Sequence, residues 1–254
     1  MLELRRLLAV GGLAAAVLVL AKAGQAGAEA GRLRVVAAEN FWGSIASQLG
    51  GDRVAVESVI TSPATDPHDY EPSAVDARRI AGAQLVLVNG IGYDSWADRL
   101  IAANPVSGRL VLRVGDLVGI KSGGNPHRWY SPPNVEKVIG AIVRDYSRLD
   151  PKDAGYFRSQ KARFETQALA RYKRLIASIR HNYAGVPVGA SESIFAPLAQ
   201  ALGLRLLTPP SFLKAISEGT EPTVADKTLV DRQITQRQRQ LQALAAALAR
   251  ASGH

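Results

Sequence analysis

Four short apolar runs dominate the first half of the chain and leave few choices of fold. They are "LRVVAA" (Leu33 to Ala38), "VAVESVI" (Val54 to Ile60), "QLVLVNG" (Gln84 to Gly90) and "RLVLRV" (Arg109 to Val114). Between them lie segments with helical spacing, "FWGSIASQLGG", "SAVDARRIAGA" and "DSWADRLIAAN". A half-exposed strand alternates apolar with polar residues, whereas "QLVLVNG" is apolar almost throughout and must be covered on both faces. Strands of that kind separated by helices specify a parallel sheet with helices on both sides, an α/β lobe.

Asp150-Pro151 then opens a long periodic segment reaching Tyr183. Asp suits a helix N-cap and Pro the first helical position. Phe157, Phe164, Ala168, Tyr172, Leu175, Ile176 and Ile179 trace one face at helical spacing. A helix of about 30 residues would be about 45 Å long, enough to link two lobes. A second βα pattern follows: "GVPVGA" as strand, "SIFAPLAQALG" as helix and "LRLLT" as strand. From Val224 onward the reading is helical, with Val230, Ile234, Leu241, Leu244 and Leu248 on one side. The expected fold is therefore two parallel-sheet α/β lobes, residues 29–149 and 184–254, joined by a linking helix at 150–183, with a shortened carboxyl-terminal lobe.

Residues 1–28 read as an export signal. "MLELRR" is a basic start, "LLAVGGLAAAVLVLA" is apolar throughout, and Ala26-Gly27-Ala28 is the small-residue pattern read by a signal peptidase. The apolar run is shorter than the roughly 20 residues of a membrane span, so cleavage is expected, with an uncleaved leader the only attachment to the membrane. The chain has no Cys, which excludes disulfides, thiolate metal sites, a cysteine nucleophile and a lipid-modified cysteine. Its net charge of +9 invites a nucleic-acid reading. The basic residues are scattered around helices, and the 6% of aromatic residues do not interleave with them as a stacking platform requires, so no nucleic-acid partner is expected.

Only four histidines are present, and two share a setting: His68 in "DPHDYEP" and His127 in "GNPHRW" each follow a proline and trail a strand. Glu192 directly follows "GVPVGA". In open α/β sheets ligands collect beyond the carboxyl ends of the strands, where all three of these residues fall. Two imidazoles and a carboxylate suit a divalent cation such as zinc, manganese or ferrous iron. Pro67 and Pro126 would stiffen the backbone beside each ring. Since such a site needs neutral imidazoles, affinity should fall as pH drops through about 6.5. Taken singly, a loop His is ordinarily a surface residue and a Glu after a strand a helix cap; the matched placement of three favours a site. Tyr70 and Trp129 are expected to wall it.

Three stretches, "DPHDYEPSAVDARRIAGAQLVLVNGIGYDSW", "NPHRWYSPPNVEKVIGAIVRDYSRLDPKDAGYFRSQ" and "SESIFAPLAQALGL", resemble the solute-binding proteins of bacterial ABC importers for zinc, manganese or iron. The resemblance runs from about residue 33 to about residue 238. It implies a non-enzymatic, exported, periplasmic or extracellular monomer of two lobes. Such a protein carries one ion between the lobes and delivers it to a membrane permease. It also implies that His68 and His127 are ligands, with Glu192 in the segment that supplies the third. The family's usual fourth ligand comes from a later segment that this chain does not show, so the fourth position falls to water or to Glu39, which ends the first strand and could instead cap the next helix. Glu in place of a third His hardens the site toward manganese or iron, while the Irving–Williams order favours zinc in purified protein. A shortened relative acting as a surface adhesin or metal chaperone is the alternative. A serine hydrolase is a weaker one: "GASES" breaks the G-x-S-x-G elbow around Ser191, and a triad would need His254.

Overall fold

The computed structural model describes residues 31–251. The expected leader and His254 lie outside the described residues, as do the side chains of Leu244 and Leu248. The described residues form two compact units: 31–122 with Glu136–Leu169, and Gly123–Val135 with 170–251. His127 had been expected on the first lobe; its segment groups with the second unit.

The first unit is built on four parallel strands, β1 (Leu33–Glu39), β2 (Val54–Ile60), β3 (Leu85–Val88) and β4 (Leu110–Arg113), in the order β2-β1-β3-β4. Val35 of β1 registers with Val56 on one side and Leu85 on the other. All four residues of β3 are buried, as are all of β1 except Arg34. One face, with Val36, Ala38, Val86 and Val88, packs on Ile80 of α2 (Ala74–Gly82) and on Trp96 and Ala97 of α3 (Ser95–Ala103). The other face carries α1 (Asn40–Gly50). Gly43 permits that approach, because a Cβ there would overlap Ser58 Oγ and press on Ala37. Full burial of a Leu or Val side chain contributes about 1.5–3 kcal/mol, so this two-sided core dominates the unit's stability.

Between β4 and Asp150 two helices were not anticipated: the short α4 (Val114–Val118) and the 18-residue α5 (Pro132–Leu149). Val138, Ile139, Ile142, Val143 and Tyr146 of α5 are buried at helical spacing. The Tyr146 hydroxyl donates to the Ala46 carbonyl of α1 at 3.0 Å, satisfying a buried polar tip.

The segment after Asp150 is helical but not uniform. A 3-10 turn at Pro151–Asp153 leads into α6 (Ala154–Arg163), a π-helical turn covers Phe164–Ala168, and α7 (Ala170–Tyr183) follows. The wide turn accommodates an extra residue and rotates the apolar stripe. Phe157 before it and Phe164 at its start are buried, whereas Tyr172 and Leu175 beyond it are exposed. The single face expected across 150–183 is thus divided, and the boundary between the units falls at its end.

In the second unit the expected strands contract to β5 (Pro187–Val188) and β6 (Arg205–Leu206), a parallel pair. Around it stand α8 (Ala196–Leu202), α9 (Pro210–Ser217) and α10 (Val224–Ala251). None of the described side chains of α10 is fully buried. Val230, Ile234 and Leu241 instead line a groove of about 1020 Å³ with Val188, Leu207 and Phe212.

Candidate metal site

His68 and His127 are presented by the same local device. The Asp66 side chain accepts the His68 backbone N–H at 2.9 Å, and the Asn125 side chain accepts that of His127 at 2.9 Å. Each is an Asx turn closing over the intervening proline. The sequence reading credited the prolines; the residue two places before each His does the tethering, and the shared Asx-Pro-His pattern was its signal.

In the first unit, His68 is exposed and its ring meets Tyr93 edge-on at 5.0 Å. Tyr70 does not wall it. Its hydroxyl donates to Asp76 at 3.0 Å and its ring packs on Trp96 at 5.0 Å, so Tyr70 anchors the start of α2. Asp76 forms a capping box with Ser73. Burial works to raise the Asp76 pKa, but hydrogen bonds from Ser73, Tyr70 and Arg79 outweigh it and hold the carboxyl below its ordinary range.

Glu39 ends β1 at the point where the strand order reverses, between β1 and β3, with the β3 loop beside it. Its side chain does not cap α1. It is 1% exposed and neither oxygen meets a hydrogen-bond donor. Its neighbour is the Asp94 carboxyl, and two carboxyls can hydrogen-bond only when one keeps its proton. Burial, then the Asp94 charge, push the Glu39 pKa well above 4.5. Burial likewise raises Asp94, to about 6, although the N–H groups of Gly90 and Asn89 donate to it at 2.7 and 2.6 Å and hold it back. Glu39 is therefore the member that retains the proton, since Asp94 has the donors that stabilise a carboxylate.

In the second unit, His127 and Glu192 come together. His127 Nε2 lies 3.8 Å from Glu192 Oε1, beyond hydrogen-bond range. His127 is buried and Glu192 partly exposed. Glu192 precedes the 3-10 turn Ser193–Phe195 and makes no side-chain cap there. Trp129 meets the His127 ring edge-on at 5.2 Å. On its other nitrogen His127 faces Asn125 Oδ1 at 3.0 Å and Ser193 Oγ at 3.1 Å. Ser193, not Ser191, is thus the serine beside a histidine. It is buried and tied to Ser217 at 2.6 Å, which is no setting for a hydrolytic nucleophile. Among the described residues, no group of three or more His, Asp or Glu side chains is gathered tightly enough to hold a metal ion. None of the described helices is long and apolar enough to cross a membrane.

The chain is 26% identical over 237 residues to the metal ABC transporter substrate-binding lipoprotein FimA of Streptococcus parasanguinis, covering 85% of this chain and 73% of that one. It is 30% identical over 189 residues to the iron-binding protein YfeA of Yersinia pestis, covering 68% and 58%. Among solved structures, a manganese-bound S38A mutant of a periplasmic metal-binding protein from Candidatus Liberibacter asiaticus superposes with a TM-score of 0.67 at 21% identity, covering 81% of this chain and 77% of that one. The fold is shared. The model of the family described as ZnuA, the periplasmic component A of a zinc-uptake complex, matches residues 35–246, and the chain belongs to that family.

Proposed function

We propose that this protein is an exported, extracytoplasmic solute-binding protein that captures a divalent transition metal and delivers it to the membrane permease of an ABC importer. The ligands in this reading are His68, His127 and Glu192. The observation that carries it is the His127–Glu192 pair: two donors each about 2.1 Å from one ion stand at most about 4.2 Å apart, and these stand 3.8 Å apart. The matched Asx turns support His68 as their counterpart in the first unit. Water fills the fourth position; Glu39 would have to give up its proton, against its burial and the Asp94 charge, to take it.

The relatives and the family between them bind iron, manganese or zinc by name, and a mixed nitrogen and oxygen donor set accepts all three. By the Irving–Williams order zinc binds more tightly than iron(II), and iron(II) more tightly than manganese, in purified protein. The test is elemental analysis of metal-stripped protein reloaded with zinc, manganese or iron(II), repeated with His68→Ala, His127→Ala and Glu192→Ala. Loss of bound metal in each variant is expected. Unchanged stoichiometry in all three removes the reading.

A further inference from the structure

The hydrogen bonds on the Nδ1 side of His127 fix where its proton lies, and they single out residues beyond the three ligands. Asn125 is fixed at both ends of its amide. Its Nδ2 donates to the Ser193 carbonyl at 2.7 Å, an oxygen that can only accept, and its Oδ1 accepts the backbone N–H of His127 at 2.9 Å. The amide cannot be turned over without setting two donors and two acceptors against each other. Oδ1 therefore faces His127 Nδ1, at 3.0 Å, as an acceptor. A lone pair on Nδ1 would oppose the lone pairs of that oxygen, so Nδ1 carries the proton.

Ser193 agrees with this assignment only in one orientation. Its hydroxyl lies 3.1 Å from the same Nδ1 and 2.6 Å from Ser217 Oγ. Ser217 Oγ lies 2.9 Å from the Leu213 carbonyl, an obligate acceptor one turn earlier in α9. Each hydroxyl has one proton to give. If Ser217 donates to Leu213, Ser193 donates to Ser217, and Ser193 then accepts from Nδ1–H. With the Ser217 proton on the Leu213 carbonyl, the donors run one way, from the imidazole to the helix carbonyl.

We infer that Asn125 and Ser193, the latter oriented by Ser217, are positioning residues that keep the proton of neutral His127 on Nδ1 and leave the lone pair on Nε2, the nitrogen facing Glu192. This rests on the proposed metal-binding reading and deepens it. A ligating imidazole needs its second nitrogen to donate to a fixed acceptor, which sets both ring orientation and tautomer, and here two acceptors share that proton. It also gives α9 a part in the site, since Ser217 is its last residue.

The direct test is the tautomer itself. Nitrogen-15 correlation spectra of metal-free protein distinguish protonated from unprotonated ring nitrogens, and His127→Ala assigns the signals. Wild type is expected to show His127 protonated on Nδ1 in its neutral form; protonation on Nε2 overturns the inference. Asn125→Ala with Ser193→Ala should shift the tautomer toward Nε2–H and weaken zinc binding about 10–100-fold. Asn125→Asp, which keeps an acceptor at Oδ1, should retain the wild-type tautomer even where the double variant folds poorly. If His127→Ala abolishes zinc binding while the double variant, folded by circular dichroism, binds as wild type, the inference fails and the metal reading stands. If His127→Ala binds zinc normally, the metal reading itself fails.

Discussion

The two units solve the same problem with unequal means. The first has a four-stranded sheet whose central strands are buried on both faces, and it presents His68 on an exposed loop at the sheet's carboxyl edge. The second has a two-stranded sheet and a long helix lining an open groove, yet it fixes His127, beside Glu192, through hydrogen-bond partners Asn125 and Ser193. Packing gives the first unit its rigidity, and the loop needs little more than an Asx turn and an edge contact with Tyr93. Where apolar burial is thin, directional bonds carry more of the work. Asn125, Ser193, Ser217 and Thr208, which accepts from the Ala190 N–H and donates to its carbonyl, stand in for missing core.

That contrast can be broken at the core first. Leu87→Ala in β3 should destabilise by about 2–5 kcal/mol in urea melts followed by circular dichroism, whereas Ile234→Ala, on a residue already 52% exposed, should stay within about 0.5 kcal/mol. Equal costs would mean that the groove closes in solution. At the site, loss of His127 or Glu192 should weaken zinc binding by more than about 100-fold, exceeding the cost of removing a supporting residue, as measured by competition with a chromophoric chelator. His68→Ala should do the same, and a loss confined to the second unit's pair would show that the first unit contributes no ligand.

The carboxyl pair of the first unit sharpens the comparison through pH. Glu39 and Asp94 both have folded-state pKa values above their ordinary ones, chiefly through burial. The folded state therefore holds protons that the unfolded state has released, and stability falls as pH rises from about 4 through about 6 and beyond. Glu39→Gln removes the proton-holding member, so the variant should gain about 1–3 kcal/mol over wild type at pH 8 and little at pH 4.5. A gain independent of pH would contradict the assignment. Asp76 titrates with the opposite sign: its lowered pKa supplies stability above about pH 4 that is lost as pH falls through the folded value. Tyr70→Phe should cost only about 1 kcal/mol, from one hydrogen bond to Asp76, with metal binding unchanged. Impaired binding would restore Tyr70 to the site.

Much of the first unit was legible because its signals are local and redundant. "LVLV" must be buried on both faces wherever it lies, and Ser73 with Asp76 writes a capping box into four residues. α5 was not anticipated despite its regular apolar spacing; two prolines open it, both in the first turn, where no backbone N–H is needed. The uniform helix expected across 150–183 failed at Phe164–Ala168, since spacing reports a period but not where an extra residue slips in. In the second unit the strands shrank to two residues each, because "GVPVGA" and "LRLLT" have the composition of strands without enough neighbouring sheet to extend them.

The chain's order of residues alone determined the alternating sheet and helices, the Asx-Pro-His turns and the donor types at 68, 127 and 192, because each depends on contacts a few residues apart. Only tertiary structure decided that the His127 segment belongs with the second unit, that Glu192 stands beside it, and that Ser193 and Ser217, from separate turns, converge on its ring. Those pairings join residues more than twenty positions apart, and no periodicity encodes which distant side chain will accept a proton.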